Sequence, residues 1–486
     1  MATLLLVAVA LLVVYLIHAN LALKSVPELA RKAVPRRWTK EEIRETFERV
    51  KKKPTDFTRL LPPRLDRRYV VVGGSGLVGG DIVLQLLQRG QAPESIRIVD
   101  FSPVTRRDML DKAAGCDYVK ADISSRTSVE AAFSKPWPAS VANKPLTVFH
   151  TAALVRPHER NAMFYHRVSH VNRDGAINVM EVSRAHGADV FVATSSASVA
   201  VVPPRMFVWP WESSPPKYAQ VIDEKDFDRP LGPLTRYFST YAFAKAEAER
   251  ALAAANSPTF RTGVLRPGNP IYGHPTDPVV GASLHMQKII TWIPHVVQNF
   301  VNSRNVALAH LQFEAALLST PCGAPPPKCA GRPFVVTDPG PPIVYGDLYQ
   351  VLEECAATPV TRVVLPPVVL LLVAHAVEAW CILVASLPGW LTRLLRLGEP
   401  KGDLQLLQPP IFAISVHTLL DDSAARRSVE EGGIGYTPGC TTLEGICEEV
   451  LEWNEDFAGK GAVKLDPAAV YKRGMGTNGH TNGHAA

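Results

Sequence analysis

Cysteine is scarce in this chain of 486 residues, and the seven present are scattered: Cys116, Cys322, Cys329, Cys355, Cys381, Cys440 and Cys447. Cys322 and Cys329 are too far apart for a Cys-x-x-Cys pair and no second pair completes a zinc site, so no metal is expected. An odd, dispersed set suits a reducing compartment. Charge is thin as well. Charged residues make up 20% against 47% hydrophobic, which rules out disorder of the whole and predicts a sizeable core. The net charge is only +6, and the basic residues cluster in one short segment, so no nucleic-acid partner is expected. The 41 prolines favour long loops and argue against a repeat of long helices. A mean hydropathy of +0.04 lies between a soluble enzyme and a polytopic membrane protein, as for a globular protein attached to a membrane.

No Lys or Arg precedes the first apolar run, Ala2 to Leu23, whereas Lys24, Arg31, Lys32, Arg36, Arg37 and Lys40 follow it. As a helix the run spans about 33 Å, enough for a bilayer core. A cleaved signal peptide usually carries a positive leading region, so an uncleaved anchor is the expectation, with the basic flank and the rest of the chain cytosolic. Residues 24–66 read as a basic linker. Within it, 39–53 reads as an exposed helix capped by Thr39, either a solvated stalk or a foot on anionic lipid. A second apolar stretch, Val368 to Leu387, carries His375 and Glu378 on one helical face and is bracketed by prolines. A monotopic or re-entrant membrane contact is expected there. The tail ending GTNGHTNGHAA is of low complexity and expected to be disordered.

From Arg67 onward, short β-branched runs alternate with helical stretches. Tyr69–Val72, Ile96–Asp100, Tyr118–Lys120, Leu146–His150, Val190–Thr194 and Thr262–Leu265 read as buried strands. This is the grammar of an α/β, Rossmann-type doubly wound parallel sheet. The first run leads into Gly73-Gly74-Ser75-Gly76-Leu77-Val78-Gly79, a G-x-x-G-x-x-G turn opening a helix over Gly79–Arg89. Such a turn lets the backbone approach a pyrophosphate at the helix N-terminus, which predicts a bound dinucleotide. Asp100 ends the second strand. A carboxylate there takes both adenosine ribose hydroxyls and repels a 2′-phosphate, so NAD is favoured over NADP. Arg106 and Arg107 lie too far past the strand end to read a phosphate. Asp122, beside Ile123, is placed either to reach the adenine edge or to cap a helix.

Tyr241 and Lys245 stand four apart, on one face of a predicted helix. They join Thr194-Ser195-Ser196-Ala197-Ser198-Val199 after the fifth strand, Thr151-Ala152-Ala153 after the fourth, and Asn172 in the helix that follows. All fall at the carboxyl edge of the sheet, where ligands bind in such folds.

On these residues the chain resembles the extended short-chain dehydrogenase/reductases, and among them the 3β-hydroxysteroid dehydrogenase family. Leu265-Arg266-Pro267-Gly268-Asn269-Pro270-Ile271-Tyr272-Gly273 is similar to that family's LRPxxIYG stretch, and Phe300–Val306 to its substrate-domain segment. Within the family it looks most like the decarboxylating sterol-4α-carboxylate 3-dehydrogenases. The resemblance implies catalysis by Ser196, Tyr241, Lys245 and Asn172. Tyr241 takes the alcohol proton, Lys245 supports the phenolate and holds the nicotinamide ribose, Ser196 holds the carbinol oxygen, and Asn172 holds a relay water. It implies that NAD is bound by Gly73, Ser75, Gly76, Leu77, Val78, Gly79, Asp100, Asp122, Ile123, Thr151, Ala152, Ala153, Tyr241, Lys245 and Pro267. The substrate would be a lipophilic sterol or triterpenoid, with membrane lipid, a homodimer partner or a sterol-processing enzyme complex as further partners, at the endoplasmic reticulum membrane. Residues 197–240 form a longer insertion than usual, containing Phe207, Trp209 and Trp211. Alternatives are oxidation with isomerisation of a ring double bond, reduction of a non-steroid ketone, or a non-catalytic NAD-binding scaffold.

The expected partition is a 1–23 anchor, a 24–66 linker, a 67–270 NAD-binding domain, a 271–362 substrate-binding part, a 363–400 membrane-associated segment, a 401–460 return to the substrate domain, and a 461–486 tail.

Overall fold

The computed structural model describes residues 1–456, and the expected tail lies outside them. The strands of its two larger sheets are β1 (Arg68–Val72), β2 (Ile96–Asp100), β3 (Asp117–Lys120), β4 (Leu146–His150), β5 (Ala188–Thr194), β6 (Ala219–Ile222), β7 (Arg261–Pro267), β8 (Val297–Gln298), β9 (Pro333–Val336), β10 (Ile343–Val344) and β11 (His417–Leu420). The helices that matter below are α1 (Ala2–Ala22), α2 (Lys40–Lys52), α3 (Leu77–Gln88), α4 (Thr240–Ala254), α5 (Ser303–Leu317), α6 (Pro367–Ser386) and α7 (Thr442–Asp456).

Val70, Val71 and Val72 are buried on both faces of β1, as a central parallel strand requires. The seven-stranded sheet runs β9-β7-β5-β4-β1-β2-β3, all parallel. One face packs under α3 and α5 through Val71, Ile82, Phe149 and Phe313. The other face holds Val70, Val148, Val179 and Phe191. The chain leaves β1 toward β2 and β3, then returns across it to β4. The crevice between β1 and β4 is therefore the switch point at which a nucleotide binds. The expected doubly wound sheet is present, with one correction: β3 is a half-buried edge strand, since among the described residues nothing pairs with its outer side.

A second sheet runs β10-β8-β11-β6 and draws on segments far apart in the chain. The division at residue 270 is crossed both ways, because β6 belongs to this sheet and β9 to the first. Beside it, α7 packs on α2 and on the helix Tyr345–Cys355 through Ile43, Val50, Leu348, Leu352, Ile446 and Val450.

The linker is thus not a free-standing stalk but is packed on the C-terminal lobe. Thr39 caps α2 as expected, its Oγ1 accepting from Glu42 N at 3.2 Å. However, Ile43, Thr46 and Val50 form a buried stripe. The basic residues meet acids of the C-terminal lobe: Arg37 pairs with Asp347, Lys40 and Arg44 with Glu354, and Arg49 with Glu444. Thr55 N and Oγ1 both donate to the Glu448 carboxylate.

Both apolar runs are helices long and apolar enough to cross a membrane. They differ in burial. α1 is exposed from residue 2 to residue 14 and docked beyond it. α6 lies along the body of the protein, burying Val368, Leu371, Ala374, Val377, Glu378 and Cys381 at spacings of one helical face. The charge within it is neutralised by the domain. Arg160 Nε and Nη2 each donate to Glu378 at 2.7 Å, the two-pronged geometry that guanidinium and carboxylate favour.

Candidate active site

The glycine loop comes directly off β1. Gly73 has a φ of 84°, and a Cβ there would lie 2.5 Å from Ala152 N. A Cβ on Gly79 would meet Gly73 O at 2.2 Å. Side chains at these positions would fill the cradle. Arg106 braces the loop from outside: Nη1 donates to Leu77 O at 2.7 Å, and Nη2 to Asp81 and Asp108, each at 2.6 Å. That spends its guanidinium on structure, in line with its position well past β2. α3 begins at Leu77, two residues before the expected Gly79, and no side chain caps its first turn. Val78 and Gly79 fall in that turn, whose N–H groups are suited to an anion.

Asp100 Oδ2 accepts from Ser75 N and Oδ1 from Ser102 N, both at 3.0 Å, so the acid sits against the glycine loop. Burial pushes its carboxyl above the ordinary range, while the backbone N–H groups pull it down. Asp122 Oδ1 accepts from Ser124 N at 2.9 Å and from Ser124 Oγ at 2.7 Å, closing a turn. The following helix is capped by Ser125 instead. Ile123 is packed against Gly175, where a Cβ would lie 2.9 Å from its Cγ1. Thr151 Oγ1 donates to Val72 O at 3.0 Å, tying β4 to β1, and Ala152 and Ala153 follow, half-buried at the crevice. Pro267 ends β7, buried at the same edge. Ser75 Oγ and Ser195 Oγ are buried without a hydrogen-bond partner among the described residues. A cradle without Cβ atoms, an uncapped helix start and an acid at the next strand together fit a dinucleotide.

α4 is capped by Ser239, which accepts from Ala242 N at 3.2 Å. It buries Tyr241, Lys245 and Glu249 on one row. Burial pushes the Tyr241 phenol up to about 12, against a hydrogen bond with Ser196 that lowers it. Burial brings Lys245 down to about 8, opposed by Glu249. Lys245 Nζ donates to Thr194 O at 2.9 Å, which points it at the end of β5. Ser196 Oγ is 2.8 Å from Ser198 Oγ and 3.5 Å from Asn269 Oδ1. Sequence reasoning quoted Ser198 and Asn269 only as parts of motifs. Ser198 lies beside Ser196 through the local turn at the end of β5, whereas the place of Asn269 follows from β5 and β7 being neighbours, which one sequence does not display. His150, beneath Lys245, is held neutral, down to about 3, by burial and then by the lysine charge.

Asn172 is set differently from expectation. Its Oδ1 accepts from Leu154 N at 2.7 Å and its Nδ2 donates to Leu154 O at 2.9 Å, within a π-helical turn. The side chain pins the loop after β4. Thr240 pins the other end, donating to Glu159 O from N at 2.8 Å and from Oγ1 at 3.0 Å. Glu249 was missed in the sequence. It grips Arg266 of the LRPxxIYG stretch at 2.7 Å, and Arg266 also pairs with Asp226 at 2.5 Å. Tyr241 itself sits in an apolar cluster with Ala19, Ala22, Val208, Val368, Leu371 and Phe412.

A parallel α/β sheet with a glycine loop at its switch point, and with serine, tyrosine and lysine gathered at the same edge, defines a dinucleotide-dependent oxidoreductase acting on CH–OH groups. Residues 70–366 match the 3-beta hydroxysteroid dehydrogenase/isomerase family, and the chain belongs to it. It is 26% identical to the decarboxylating sterol-4-alpha-carboxylate 3-dehydrogenase of Schizosaccharomyces pombe, over 66% of this chain and 84% of that protein. It is 25% identical to the mouse short-chain dehydrogenase/reductase family 42E member 1, over 60% and 68% of the two chains. In fold it is similar to the UDP-glucose 4-epimerase of Thermotoga maritima, with a TM-score of 0.51 at 18% identity over 80% of this chain and 99% of that one.

Proposed function

We propose that the protein is a membrane-anchored, NAD-dependent dehydrogenase of 3β-hydroxysterols or related triterpenoids, with loss of a 4-carboxyl group where one is present. The observation that carries this is the placing of Tyr241, opposite Ser196, within one apolar cluster built from α1, α6 and the 197–240 insertion. A polar alcohol at the end of a rigid apolar body suits such a site. The relatives named for sterol-4-alpha-carboxylate oxidation support the substrate class and the decarboxylation. α1 serves as the anchor, with the catalytic domain on the cytosolic side of the endoplasmic reticulum membrane.

Bound NAD supplies the hydride acceptor. The glycine loop and the start of α3 would hold its pyrophosphate, and Asp100 would hold the adenosine ribose. Ser196 hydrogen-bonds the carbinol oxygen and steadies charge there. Tyr241 takes the hydroxyl proton as general base. In the protein alone its phenol is neutral, so positive charge must gather beside it first. Lys245 contributes one such charge, and the oxidised cofactor would contribute another where it is held. In a 4-carboxylated substrate, breaking the bond to the carboxyl carbon releases carbon dioxide. The electron pair passes to the new ketone, giving an enolate that takes up a proton at the carbon the carboxylate left.

The test is incubation of membranes containing the protein with NAD and a panel of 3β-hydroxysterols, with and without a 4-carboxyl group, the products being identified by mass. Ketone and carbon dioxide from the carboxylated members support the full reading. Ketone without carbon dioxide removes decarboxylation, a shifted ring double bond favours the isomerising alternative, and no turnover leaves a scaffold. Asp100→Ala should weaken NAD binding by about 10- to 100-fold, the worth of hydrogen bonds to a charged group. It should also narrow the preference for NAD over NADP, as read by fluorescence titration with each cofactor. A wild-type preference for NADP would remove the role given to Asp100.

A further inference from the structure

Beyond its ends at Ser198 and Thr240, the 197–240 insertion takes no part in the chemistry, yet it grips the anchor. Tyr15 Oη donates to Val208 O at 3.1 Å, His18 Nε2 lies 3.2 Å from Trp209 O, and Tyr218 Oη donates to Leu23 O at 2.6 Å. Ala19, Ala22 and Leu23 are buried against Met206 and Val208. Only residues 2–14 of α1 stand free of the domain.

That free length does not cross a membrane. Thirteen residues of helix rise about 20 Å, against a hydrocarbon core of about 30 Å. The shortfall is about 10 Å. The docked stretch of α1 has a second, outward face, on which Ile17 and Leu21 are 57% and 63% exposed. From Val14 to Leu21 the helix rises a further 10 Å or so, which matches the shortfall. Beside this face stand the tryptophans of the insertion. Trp209 and Trp211 are 54% and 78% exposed, their rings stacked 5.4 Å apart. Arg205 lies over Trp209 and is paired with Glu212. α6 starts at the same level, Val368 N being 3.5 Å from Asn20 Oδ1, and shows Val369, Leu372 and Val373 on its open side. Apolar surface is therefore continuous from the free helix onto the domain.

We infer that the Trp209–Trp211 loop is a collar immersed in the cytosolic leaflet, sinking this end of the catalytic domain about 10 Å into the bilayer around α1. The occupant of the surface is lipid. Stacked tryptophans with a guanidinium beside them suit the headgroup boundary. The cluster that holds Tyr241 shares Ala19, Ala22, Val208 and Val368 with the collar, so a membrane-dissolved substrate reaches the tyrosine without passing through water. This deepens the dehydrogenase reading and rests on it for the substrate.

The test uses full-length protein in phosphatidylcholine vesicles whose acyl chains are brominated at a shallow or a deep carbon. The fluorescence difference between wild type and Trp209→Phe/Trp211→Phe isolates the two rings. Quenching of that difference at least twofold greater by shallow than by deep bromine is expected. Trp209→Ser/Trp211→Ser should raise KM for vesicle-borne sterol about 10-fold and leave kcat, and KM in detergent micelles, unchanged. Rings unquenched by either lipid overturn the collar, as does emission that shifts with protein concentration, the sign of a second copy covering them. Failure of the dehydrogenase reading shows separately, as wild-type protein whose rings are quenched but which oxidises no 3β-hydroxysterol.

Discussion

Tyr241→Phe is expected to lower kcat for alcohol oxidation by about 10²–10⁴-fold, the usual contribution of a positioned acid–base group, with NAD affinity almost unchanged. The ring is buried among Ala242, Phe238 and the ends of α1 and α6, and phenylalanine keeps that packing. Only the hydroxyl facing Ser196 is lost. The glycine loop and Asp100 belong to other strands and are untouched. Steady-state rates with a 3β-hydroxysterol, together with NAD titration of both proteins, check this. A variant retaining more than about a tenth of wild-type kcat would exclude Tyr241 as the proton acceptor.

Lys245→Met should inactivate the enzyme and, at pH 7 without cofactor, make the fold more stable. Burial lowers Lys245 from the ordinary 10.5 to about 8, so the folded protein holds its proton less tightly than the unfolded chain. Below pH 8 both states carry the charge, and the folded state bears a penalty on the order of 3 kcal/mol. Between pH 8 and 10.5 the unfolded chain binds more protons, so this penalty fades as pH rises. Methionine fills a similar volume without charge. The expected result is a higher unfolding midpoint at pH 7, with a gain that shrinks by pH 10, and weakened NAD binding. A variant less stable than wild type at pH 7 would show that the bond to Thr194 O outweighs the burial of the charge.

What the sequence discloses depends on how locally a feature is written. Val70–Val72 and Leu146–His150 are runs of apolar and β-branched residues bounded by breakers, and their strands lie where that pattern puts them. The glycine loop is equally local. β8 and β10 are two residues long and are strands only because distant segments lie beside them. No periodicity could announce them. α2 was misjudged because its charges outnumber its apolar residues, although Ile43, Thr46 and Val50 already lie three and four apart. At the site, Tyr241 and Lys245 are related by helical spacing and were legible. The grip of Glu249 on Arg266 needs α4 to lie over β7, and the engagement of Asn172 with Leu154 needs a π-helical turn.

The packing of α2 against α7 has a consequence for biosynthesis. α2 precedes α7 by nearly the whole length of the described chain. The residues that cover Ile43 and Val50 include Ile446 and Val450, about 400 positions later. At about 5–20 residues per second, that surface waits roughly 20 to 80 s for its partner. During translation α2 is finished while the helix that closes the second lobe does not yet exist. Truncation before Thr442 removes Ile446 and Val450 and leaves this short amphipathic helix half-covered, by Leu348 and Leu352 of the helix Tyr345–Cys355.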